Sequence, residues 1–152
     1  MKIYNKQVVF QEVPDEVSLA FSVAGCPLNC QGCSWSNFDK KNTKLLDLKT
    51  FENMLKKYKD YCTCVLFLGG EWNNNLIEYI NVVKSYKLKT CLYTGLKLKK
   101  LPAKLVLKLD YLKTGSYVKN LGGLESPTTN QRFFDIKNHK ILNSKFRRNI
   151  RV

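Results

Sequence analysis

The segment Cys26-Pro27-Leu28-Asn29-Cys30-Gln31-Gly32-Cys33 spaces three thiols as C-x3-C-x2-C. Three thiols at these spacings on one loop can take three corners of an iron–sulfur cube, which leaves the fourth iron without a protein ligand and open to a substrate. Gly25 and Gly32 admit backbone conformations that other residues avoid, and Pro27 restricts its own turn. The loop can therefore curl its sulfurs to one side.

The same residues would also serve a zinc site completed by a fourth Cys or His, or lie as thiols with no ligand role. Zinc sites usually show two separated ligand pairs. Here Cys62 and Cys64 form only a C-x-C, Cys91 is alone, and His139 is the single histidine. Spacing points to a cluster with an open iron and leaves the other two readings standing. Cys62, Cys64 and Cys91 read as small buried hydrophobes.

The elements that must position the loop are legible as alternating patterns. Residues 19–23 form an apolar run that leads straight into the cysteines. Leu48, Phe51, Met54, Leu55 and Tyr58 recur at helical spacing, with Asp47 or Thr50 able to cap the start. Residues 64–68 predict a second strand, ended by Gly69-Gly70-Glu71. Leu76, Ile77, Ile80, Val83 and Tyr86 predict a second helix, and residues 90–94 a third strand before Gly95. A short helix over 101–109, a strand over 110–114 before Gly115, and a last strand over 133–136 complete the pattern. The basic tail from residue 137 is expected to dock as strand or helix, or to stay mobile.

Strand, loop and helix in repetition predict an α/β fold with a mostly parallel sheet, whose ligands sit at the C-terminal strand ends. The cysteine loop, Gly69-Gly70-Glu71, Thr94-Gly95 and Thr114-Gly115 all fall at those ends. Two glycines after a strand present bare backbone, whose carbonyls can accept from a ligand ammonium. Glu71 could add charge there, or serve as a helix-start carboxylate facing the macrodipole.

At 152 residues and 44% hydrophobic, the chain fits one domain over 1–152. It has no apolar run of membrane-spanning length and no signal-peptide pattern, and its six cysteines then read as reduced thiols. A cytoplasmic, anaerobic setting is the expectation. The net charge of +14 comes from scattered lysines with short clusters at Lys97 to Lys100 and Lys145 to Arg148. No aromatic-and-basic signature accompanies them, so they read as solvated surface, or as a docking face for an acidic protein, rather than as a nucleic-acid site.

C-x3-C-x2-C after one strand and Gly-Gly-Glu after the next resemble the radical S-adenosylmethionine enzymes. Residues 121–136, with Gly32-Cys33 and Tyr93-Thr94-Gly95, resemble more narrowly the activating component of anaerobic ribonucleoside-triphosphate reductase. The resemblance implies a partial, shortened (β/α) barrel and a [4Fe-4S] cluster on Cys26, Cys30 and Cys33. It also implies that S-adenosylmethionine chelates the fourth iron. Reductive cleavage would then release a 5′-deoxyadenosyl radical that takes hydrogen from a glycine of the reductase large subunit, with a one-electron donor such as flavodoxin. Gly32, Cys33 and Ser34 would lie against the adenosyl group, and Gly69, Gly70 and Glu71 against the methionine end. Thr94 and Lys113 would line the pocket, and Asn130-Gln131-Arg132 would shape the partner-facing opening or form a structural turn. The chain departs from the family at Trp72, where proline is usual, and at Lys113, where an acidic residue is common. An activase of the formate-lyase type and a zinc-binding basic nucleic-acid module are the rival readings.

Overall fold

The computed structural model describes residues 1–33 and 41–147. Eight strands form one sheet in the order β3-β1-β2-β4-β5-β6-β7-β8: β1 (Lys2–Val9), β2 (Ser18–Val23), β3 (Lys44–Leu45), β4 (Cys64–Leu68), β5 (Lys89–Tyr93), β6 (Tyr111–Thr114), β7 (Arg132–Asp135) and β8 (Lys140–Ile141). The four central strands β2, β4, β5 and β6 are parallel. An antiparallel pair flanks them on each side, so the sheet is mixed and its strand order linear.

The central strands lie where the longest apolar runs are. β2 and β4 are buried at every residue, as strands covered on both faces must be. The outer strands carry a weaker signal, which explains why sequence patterning does not find three of them. β1 exposes residues 5–8, and β3 and β8 expose both of their residues.

One face is covered by helices α1 (Leu48–Tyr58), α2 (Leu76–Ser85) and α3 (Ala103–Val106). Asp47 caps α1, its Oδ1 accepting from the Thr50 N–H at 2.7 Å. Phe51 from α1 and Tyr79 from α2 meet Phe21 and Phe67 of the sheet, with ring centroids 5.1–6.2 Å apart. The helix expected over 101–109 is only the four residues of α3, preceded by a 3₁₀ turn at Leu98–Lys100, because Pro102 separates the two.

Among the described residues the other face has no α-helical layer. It is covered by Val9 and Val13, by Leu124, and by the tail, which docks Leu142 and Phe146 around a 3₁₀ turn at Asn143–Phe146. Cys64 and Cys91 lie fully buried on this face, and Cys62 is buried in the helix-side core. Burial pushes all three thiols up, so they stay protonated and behave as the small hydrophobes expected.

Candidate iron–sulfur centre

β2 ends at Val23, and the chain turns through Gly25 at φ +93°, Asn29 at +49° and Gly32 at +76°. These left-handed residues bend the segment into a loop, closed by a bond from the Cys33 N–H to the Cys30 carbonyl at 3.2 Å. Cys26 is exposed and the other two cysteines half-buried.

Three contacts hold this loop against neighbouring strand ends. The Trp72 indole N–H donates to the Ala24 carbonyl at 3.0 Å, and its ring covers Gly69 so closely that a β-carbon there would lie 2.5 Å from Cη2. Leu28, between the first two cysteines, rests on Gly95 with no room for a β-carbon between them. Gly32 faces the Tyr117 ring. The loop is thus braced from the ends of β4 and β5 and from the segment after β6.

These braces enclose a cavity of about 640 Å³ walled by all three cysteines together with Gly69, Glu71, Thr94 and Lys113. A second cavity of about 660 Å³ also touches Trp72 and shares the cysteines, but its remaining wall includes Met1, Tyr4, Leu45 and Asn73. We place the functional site in the first, because the polar groups from the strand ends converge there.

Glu71 sits in the turn between β4 and α2, four residues before the α2 cap at Asn75, so it does not face the helix dipole. Its Oε1 accepts from Thr94 Oγ1 at 2.6 Å, and that oxygen in turn accepts from the Leu96 N–H at 3.0 Å. Its Oε2 is buried with no partner. Burial raises the carboxyl above the usual range, against the Thr94 bond and the nearby Lys113 charge. A buried carboxylate oxygen held ready and unbonded is an acceptor for a cationic ligand group. The carbonyl of Gly70, one of those expected to accept, is already taken by the Asn73 N–H at 2.9 Å and its side-chain amide at 3.3 Å.

The remaining expected residues divide. Thr94 is buried and orients Glu71. Ser34 lies outside the described residues. Asn130 and Gln131 are tied into a turn through bonds to the carbonyls of Ser116 and Gly115 at 3.0 and 3.3 Å, and Arg132 to Thr129 at 2.7 Å, although Gln131 also reaches the cavity wall. Sequence reasoning did not find Leu28, Tyr117 or Tyr93 as parts of the site. The only available signal was a glycine opposite each of the first two, which has meaning only once the register is known.

Among known families, the model described as a 4Fe-4S single cluster domain matches residues 16–134, a span containing all three loop cysteines and Gly69-Gly70-Glu71. The chain belongs to the 4Fe-4S single cluster domain family. No curated protein and no solved structure matches it. The residues present suit the cluster of this family. Among the described residues no three His, Cys, Asp or Glu side chains gather around one point to hold a single ion. The three cysteines do share one cavity wall, and in a cube each thiolate takes a different iron, so they need not converge on one point. No described helix of this 4Fe-4S domain is long and apolar enough to cross a membrane.

Proposed function

We propose that this 4Fe-4S domain is a radical S-adenosylmethionine activating enzyme that installs a glycyl radical on an anaerobic ribonucleoside-triphosphate reductase. The observation that carries the reading is the bare Glu71 Oε2, set in the same cavity wall as three cysteines. A three-cysteine cluster has an open iron, and an amino-acid ligand beside it needs an anionic partner for its ammonium. When bound, the cluster would supply one electron that breaks the sulfonium carbon–sulfur bond, giving methionine and a 5′-deoxyadenosyl radical able to remove one hydrogen atom from a glycine Cα.

The chain's own residues bind and orient. Cys26, Cys30 and Cys33 would hold three irons. Glu71, steadied by Thr94, would take the ammonium. The sequence over 121–136 is what favours the reductase as partner, with a cytoplasmic one-electron donor such as flavodoxin supplying reductant.

The test is electron paramagnetic resonance on anaerobic, reduced protein mixed with S-adenosylmethionine and the candidate reductase. A glycyl signal on the reductase is expected. Its absence with the cluster intact would defeat this function, and a signal on a formate-lyase-type partner alone would transfer it to that class.

A further inference from the structure

Lys113 is the cation of the candidate cavity, and its position on the sheet is unusual. It lies on β6, an interior strand, between Tyr93 of β5 and Phe133 of β7 in register. Its Nζ donates to the carbonyls of Thr94 at 3.4 Å and Gly115 at 3.0 Å and stands 5.7 Å from the Tyr93 ring centroid. Among the described residues it forms no salt bridge, whereas Lys89, Lys137 and Lys145 each have a carboxylate. Two carbonyls and a ring face only partly replace the hydration of a half-buried ammonium.

The negative groups that face it lie across the cavity. They are Cys33, Cys30, Glu71 and Cys26, the cysteines counting as negative only as cluster thiolates; burial pulls the ammonium down to about 8, and these groups act against that pull. A cube with a two-plus core on three thiolates carries one net negative charge and gains a second when reduced. A fixed cation across a low-dielectric cavity stabilises the second state more than the first.

Resting on the reading that Cys26, Cys30 and Cys33 hold the cluster, we infer that Lys113 is the counter-charge of that cluster and raises its reduction potential. Lys113 acts through the cluster and is a positioning residue, and its role is electrostatic.

The experiment is a potentiometric titration of the anaerobically reconstituted chain, followed by electron paramagnetic resonance without S-adenosylmethionine, for wild type, Lys113→Met and Lys113→Arg. At equal iron content, Lys113→Met is expected to shift the reduction equilibrium about tenfold toward the oxidised form, about 59 mV for one electron. Lys113→Arg is expected to stay close to wild type. Lys113→Gln replaces Lys113→Met should the latter fail to hold iron. An unmoved potential in the neutral variants, or an equal shift in Lys113→Arg, would overturn the inference. So would an unmoved potential together with weakened S-adenosylmethionine affinity in a separate calorimetric titration of the same variants, which would assign Lys113 to the ligand's carboxylate. Wild-type chain that loads no iron would instead sink the cysteine-ligand reading, and this inference with it.

Discussion

Glu71 keeps one oxygen on Thr94 and the other bare, which costs stability and serves binding. Because burial raises its folded pKa, the ionised form is penalised in the folded state, and folding becomes more favourable as pH falls through that raised value. Glu71→Gln removes the penalty, so its melting temperature at neutral pH is expected to equal or exceed that of wild type. The same change should weaken S-adenosylmethionine binding by roughly 10- to 100-fold, the loss of one charge-assisted hydrogen bond of about 1.5–3 kcal/mol. Calorimetry on the two proteins reads both effects, and a variant that is less stable yet binds normally would contradict this assignment. In wild type, affinity should fall on the acid side at a pH above the usual carboxylate range. At the cysteines the readout is iron: about four per chain in wild type and nearly none in a Cys26→Ala, Cys30→Ala, Cys33→Ala triple variant.

The cysteine loop owes its pose to the elements around it. Gly95→Ala places a methyl where Leu28 rests, but Gly95 has no left-handed backbone to strain, and the flexible leucine can move aside. That variant should fold nearly as well as wild type, lose its grip on the loop and hold less iron. Gly69→Ala is harsher, because φ is +84° and the neighbour is the Trp72 ring. It should cost about 1–3 kcal/mol of stability by urea unfolding. These contacts also mark where the sequence stops being readable. β4 is found to the residue because an unbroken apolar run between turn signals leaves little choice. C-x3-C-x2-C and Gly-Gly-Glu are visible because all their residues are neighbours in the chain. Leu28 on Gly95, Trp72 on Ala24 and Lys113 across from the cysteines join residues far apart in sequence, and their meaning depends on a parallel register that no local pattern encodes. β1 escapes for the opposite reason, since its middle faces solvent and alternates only weakly.

In the whole molecule, chemistry and cohesion occupy opposite edges of the sheet. The C-terminal strand ends carry the cavity, while the N-terminal ends carry buried charge: Glu16 pairs with Lys89 and Tyr111, and Asp110 binds Lys137 at 2.8 Å and the Thr90 N–H at 2.9 Å. Burial would raise the Asp110 carboxyl, but Lys137 and the Thr90 amide outweigh it and hold the value low. A depressed folded value contributes stability above the unfolded pKa of about 3.9 and loses it as pH falls through the folded one. Asp110→Asn should therefore be less stable than wild type at pH 7, with the gap closing in strong acid and iron content unchanged. Acid titration of the two melting curves tests this. The brace at Trp72 has an optical consequence. The chain has two tryptophans: Trp35 follows Cys33 by two residues, and Trp72 is hydrogen-bonded to the turn that opens the cysteine loop. An iron–sulfur cube absorbs across the near ultraviolet and would drain the emission of an indole so close by. Loaded protein should be nearly dark in tryptophan fluorescence and brighten as iron is lost, so the domain carries its own gauge of cofactor occupancy.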